Sequence, residues 1–421
     1  MTDVHQTVAA AVGTLRPEIV AALQELVSIP SQTGQEGSAQ EAVARLMRAH
    51  ELEVDVWEPD VALLREHAES VTLDGGFDGR PNVVGVYRGN GRGRSLILNG
   101  HIDTVEVGDP AAWSYAPLSG DLIDGRLYGR GACDMKGGIV ANLFAVRALR
   151  LAGFRPAGDI IVESTVSEED GGAGALAAVM RGYVADGAII SEPTNLAIVT
   201  AQGGALMFRL QVPGLSAHAC VRDEGVSAVE KFAYLHQGLL AFEDRRNHEI
   251  RHPLYAGKRI KAPINVGIVR SGSWASSVPE SLVAEGRAGL VPGEDLSTFK
   301  IELAAEIERL AETDPWLRDH PPQLTWLNGQ FSPADVEVGS PLVETLRRAW
   351  ETTSSAPARI EGVTYGADMR HFVITGGVPC VMFGAGDVRL AHAPDEAIPV
   401  EDLLTAITTT ALFIADWCGV S

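Results

Sequence analysis

Residues 124–138 read DGRLYGRGACDMKGG, a glycine-rich stretch holding one carboxylate at Asp134. Directly after Gly137-Gly138, apolar side chains recur at Ile139, Leu143, Val146 and Leu149. That spacing predicts a helix with an apolar face, opened by the glycine turn. On either side lie short runs rich in branched residues: SLILN at 95–99, DIIVEST at 159–165 and GAIIS at 187–191. Such runs predict buried strands. Strands alternating with helices give an α/β layered architecture, with Asp134 in a turn between layers.

The pattern changes near Gly203. In LMFRLQV, 206–212, apolar residues alternate at Leu206, Phe208, Leu210 and Val212, as in a strand with one exposed face. Ile264–Val269 and Leu282–Leu290 look similar, and Leu296–Ala311 predicts an amphipathic helix. After Pro321-Pro322, a helical stretch at Pro341–Thr352 and a buried strand at Val378–Phe383 return to the first style. The expected organisation is a catalytic domain of residues 1–202 and 322–421, interrupted by a smaller α+β domain of residues 203–321.

Composition narrows the function. The 421 residues carry 34 Lys+Arg against 55 Asp+Glu, a formal net charge of −21. Nucleic acid and anionic membranes call for basic patches, so neither is an expected partner. No leader-like segment opens the chain, and no apolar run is long enough to span a bilayer. The four cysteines are scattered without metal or disulfide spacing, which fits a cytoplasmic protein. Neither a dinucleotide-binding GxGxxG after a strand nor a GxxxxGK[ST] loop is present.

Metal-ligating side chains stand beside the strand ends: His101 and Asp103 in GHIDT, Glu168 and Glu169 in STVSEEDGG, Glu192 in IISEPTN, and His392 in RLAHAPDE. The carboxyl edge of an α/β sheet is where ligands bind. Mixed imidazole and carboxylate donors suit Zn²⁺ and its neighbours, whereas Mg²⁺ or Ca²⁺ prefer all-oxygen sets. Two metals about 3.5–4 Å apart need one carboxylate offering an oxygen to each, with terminal ligands on either side. A further carboxylate must stay free to move protons.

These segments resemble the M20 family of metallopeptidases and amidohydrolases, in particular its acetylornithine deacetylase and succinyl-diaminopimelate desuccinylase branch. The resemblance is carried by GHIDTVEVGDPAAW, DGRLYGRGACDMKGG, SEEDGGAGA, IISEPTN and AHAPDEAIPV, and it runs over essentially the whole chain. Glu106 departs from the family, where proline is frequent. The resemblance implies a zinc-peptidase-like catalytic domain, a mixed sheet flanked by helices, with an inserted lid and dimerisation domain. It implies two divalent metals, zinc foremost with cobalt or manganese open, bridged by Asp134. His101 and Glu192 would complete one metal, and Glu169 and His392 the other. Asp103 would orient His101, Glu168 would be the general base and acid, and a cis peptide would follow Asp134.

In the inserted domain, PGLSAHAC places His218 where the family has a histidine that polarises the substrate carbonyl, often from a partner subunit. Asn265, Arg287 and Arg370 match positions near the substrate, and a guanidinium can clamp a carboxylate through two parallel hydrogen bonds; a buried structural salt bridge is the equal alternative for each arginine. The implied reaction is hydrolysis of an amide in an N-acyl amino acid or related small N-acyl amine. A dipeptidase or carboxypeptidase built on the same site is the alternative, and an inactive relative serving as a binding protein is a weaker one.

Overall fold

The computed structural model describes residues 2–67, 69, 76–327 and 330–420. It divides into two compact units: Met1–Ala201 with Asp335–Glu361 and Ala367–Ser421, and Gln202–Ala334 with Gly362–Gly366.

The first unit is built on a mixed nine-stranded sheet. Leu96–His101, at its centre, lies parallel to Ile160–Thr165 on one side and to Ala188–Ile190 on the other. Cys380–Met382 continues the parallel run beside Ala188–Ile190. Asn82–Tyr87 and Glu53–Trp57 extend the other side antiparallel. Every residue of Leu96–His101 and Ile160–Thr165 is buried, which is why these runs read as continuous rather than alternating. Helices Gly137–Leu151, Val400–Cys418, Thr2–Ser28 and Pro341–Ser354 pack together in the same core. Gly138 lets the first of these lie close to the sheet, since a Cβ there would stand 2.3 Å from the Ser191 carbonyl oxygen.

The second unit holds a four-stranded antiparallel sheet in the order Ile264–Ser271, Ser281–Leu290, Gly204–Pro213, Gln323–Trp326. Leu206, Phe208, Leu210 and Val212 are buried, and their core includes Leu235 and Leu239 of helix Ala228–Glu249 and Phe299, Leu303 and Ile307 of helix Leu296–Thr313. The boundary expected at residue 321 falls too early. Gln323–Trp326 pairs with Gly204–Pro213, Leu324 opposite Leu210, so the unit runs on to Ala334 and takes in Gly362–Gly366. All four cysteines are free. No helix among the described residues is long and apolar enough to cross a membrane.

Candidate metal centre

Parallel pairing brings the candidate ligands to one edge. Leu96–His101 and Ile160–Thr165 run in register, His101 opposite Thr165, and Ile190 lies opposite Asn99. The strands therefore end together. His101 closes one, Glu168 and Glu169 follow the second within four residues, and Glu192 follows the third within two. Asp134 sits in the turn before helix Gly137–Leu151, with a cis bond to Met135.

Asp134 faces two ways. Its Oδ1 lies 3.2 Å from His101 Nε2, and its Oδ2 lies 3.4 Å from His392 Nε2. Glu192 Oε1 stands 3.9 Å from His101 Nε2, and Glu169 stands 3.1 Å from His392 Nε2. Ligand atoms of His101, Asp134 and Glu169 all fall within 4.8 Å of one another. The far nitrogen of His101, Nδ1, lies 2.9 Å from the Asp103 main-chain carbonyl. A carbonyl oxygen only accepts, so Nδ1 carries a proton, and Nε2 is the nitrogen turned towards Asp134 and Glu192. Carboxylates gathered in a buried site round that nitrogen call for positive charge among them, as a ring proton or a bound cation. The donor set, two imidazoles and three carboxylates in two groups about Asp134, fits a pair of divalent ions.

Electrostatics of the cation-free chain agree. Against burial, the Asp103 and Asp134 carboxylates hold His101 well above its ordinary pKa. The Asp134 and Glu169 carboxylates raise His392 to about 10. Burial, joined by neighbouring carboxylates, pushes Glu168 and Glu192 well above the usual range. Against burial, His101 and His392 keep Asp134 below it.

Asp103 touches His101 chiefly through its main chain. Its main-chain carbonyl meets His101 Nδ1, while its carboxylate is 3.6 Å away. The carboxylate instead accepts from the Glu168 and Glu169 amides, each at 3.1 Å, and from Thr33 Oγ1 at 3.1 Å. One residue thus ties the His101 strand end to the loop carrying Glu168 and Glu169.

Arg370 is placed inside the fold. It is fully buried, and its terminal nitrogens donate to the Gly171 carbonyl at 2.6 Å and the Ala367 carbonyl at 3.0 Å. Those bonds engage the guanidinium inside the fold, so the expected clamp on a substrate carboxylate gives way to an anchor for the Glu168–Gly172 loop. In the second unit, Asn265 and Arg287 are opposite each other on paired strands. Asn265 is exposed, while Arg287 is half-buried and donates to the Thr364 carbonyl at 3.2 Å. Burial lowers the Arg287 pKa. His218 is exposed, at the start of the short helix Ala219–Glu224.

Glu396 escaped the sequence reading. It is fully buried; one oxygen accepts from the Cys133 and Asp134 amides at 2.9 and 3.0 Å, the other from Arg130 at 2.6 Å. It lies four residues after His392 in a segment already singled out, but its role depends on a distant contact.

Residues 97–416 match the model of peptidase family M20/M25/M40. The chain belongs to this family. It is a hydrolase of amide C–N bonds, as the family's chemistry requires. Among curated proteins, this M20 chain is 31% identical to the N-formyl-4-amino-5-aminomethyl-2-methylpyrimidine deformylase of Bacillus subtilis (strain 168), over 82% of this chain and 84% of the relative. It is 31% identical to the acetylornithine deacetylase of Myxococcus xanthus, over 80% and 84%. Among solved structures, a dinuclear metal binding peptidase of the M20 family from Bacillus subtilis shares the fold, with a TM-score of 0.63 at 13% identity and coverage of 96% and 99%.

Proposed function

We propose that this M20 chain is a metal-dependent deacylase that cleaves the amide of a small N-acyl amine or N-acyl amino acid. The observation that carries this is the double-sided placement of Asp134, one oxygen towards His101 and the other towards His392. Zinc is the proposed ion, held by His101 and Glu192 on one side and by His392 and Glu169 on the other, with Asp134 shared. Bound there, the ions would acidify a water and polarise the amide carbonyl.

The chain's own groups do the rest. Glu168 is buried at the same edge and is proposed to take a proton from water and deliver it to the leaving amine. Asp103 holds Glu168 in place through its amide. His218 is the proposed donor to the carbonyl oxygen, where charge develops in the transition state. Asn265 and Arg287 are proposed to orient the substrate. The protein is proposed to be cytoplasmic and a homodimer.

A deacylase is favoured over a peptidase because relatives at 31% identity are a deformylase and a deacetylase. The test is a hydrolysis screen of formyl, acetyl and succinyl amines and amino acids beside a dipeptide set, with zinc, cobalt or manganese supplied to chelated protein. Metal-restored turnover of acyl amines far above dipeptides is expected. Preferential dipeptide cleavage would reverse the assignment.

A further inference from the structure

The second unit contains a contact that bears on His218. Cys220 follows it by two residues, and both side chains are exposed. The Cys220 amide donates to His218 Nδ1 at 3.2 Å, and Cys220 Sγ lies 3.0 Å from the same nitrogen. A ring nitrogen offers either a proton or a lone pair. An amide N–H can only donate, so Nδ1 presents its lone pair and the neutral ring carries its proton on Nε2. With Nδ1 fixed as an acceptor, the sulfur contact is a thiol S–H donating to it. The flanking backbone is held as well, since the Val278 amide donates to the Ala217 carbonyl at 2.8 Å and the Ala219 amide to the Ser276 carbonyl at 2.9 Å.

We propose that Cys220 is a positioning residue for the reaction. Its thiol, together with its own amide, holds His218 as the Nε2–H tautomer, the form able to donate a hydrogen bond to a carbonyl oxygen. This rests on the reading of His218 as the carbonyl-polarising group. The sequence alone would make Cys220 one more scattered cysteine. The structure makes it the source of both donors on one lone pair.

The test combines ¹⁵N NMR of histidine-labelled, zinc-loaded enzyme with kcat and KM on an acyl amine that the wild type hydrolyses. In the wild type, His218 should show a bare Nδ1 and a protonated Nε2. Cys220→Ser keeps a donor and should preserve both the tautomer and kcat. Cys220→Ala should mix the tautomers and lower kcat about fivefold with KM little changed, the size of one lost hydrogen bond. An unchanged His218 spectrum and kcat in Cys220→Ala would overturn the proposal, as would a protonated Nδ1 in the wild type. His218→Ala separates the two readings. If it loses turnover while Cys220→Ala changes neither spectrum nor rate, the role of His218 stands and that of Cys220 falls. Wild-type turnover in His218→Ala overturns both.

Discussion

The two units hold their candidate functional groups differently: the first buries most of them, with Glu169 half-buried and His392 exposed, and the second leaves them at the surface. In the first, His101, Asp103, Asp134, Glu168, Glu192 and Glu396 are all buried. In the second, His218 and Asn265 are exposed and Arg287 is half-buried. Burying several carboxylates together is costly unless opposite charge offsets them. The first unit's geometry therefore points to cations by itself. Exposed groups carry no such penalty, and their placement specifies chemistry only where a fixed donor constrains them, as the Cys220 amide constrains His218.

If this contrast is sound, losses should be steep in the buried centre and shallow in the second unit. Glu168→Gln should lower kcat about a thousandfold with zinc content unchanged, whereas Asn265→Ala should act mainly on KM. Steady-state kinetics with metal analysis checks both, and equal kcat losses would break the contrast. Next in size, Glu396→Gln should weaken zinc binding about 10- to 100-fold, because groups that orient ligands matter nearly as much as the ligands. Competitive chelator titration measures it, and unchanged affinity would leave Glu396 with a purely structural part.

Smaller effects concern stability. Arg370→Met should reduce the unfolding free energy by about 1–3 kcal/mol in denaturant titrations, since it removes two buried hydrogen bonds from a charged group. Arg287→Met, with one long bond and partial exposure, should cost less. Glu163 gives an effect that depends on pH. It is fully buried, accepts from Asn99 at 3.0 Å, and burial raises it to about 8. An acid raised on folding binds more protons folded than unfolded. Its penalty is therefore absent below the unfolded value near 4.5, grows as pH rises, and levels off above about 8. The melting temperature of Glu163→Gln should accordingly gain on the wild type by about 1–2 °C per pH unit across that window. A gap that does not change with pH would show that Glu163 is not protonated in the fold.

Much of the centre was legible because its signals are local. A histidine closing an apolar run and glutamates just past another can be read from residue type and position. What joins them, parallel pairing that ends three strands at one edge, follows from the α/β pattern. Other features were not local. Glu396 acts through amides far upstream, and Arg370 reads equally as a substrate clamp or a buried structural group until the fold encloses it. The unit boundary was missed because Gln323–Trp326 is four residues long, too short for its alternation to stand out, while Pro321-Pro322 looked like a natural break.

Glu396 also has a bearing on the order of synthesis. The anchor that receives the Asp134 amide lies 262 residues downstream. A ribosome that has just made Glu192 has synthesised four of the five proposed ligands, but neither His392 nor the glutamate that steadies the turn. The clasp therefore closes only when the final helix is about to emerge. Cation uptake during translation would then report a chain made past Glu396, and a nascent chain stalled before His392 should bind zinc far more weakly than one extended beyond Glu396.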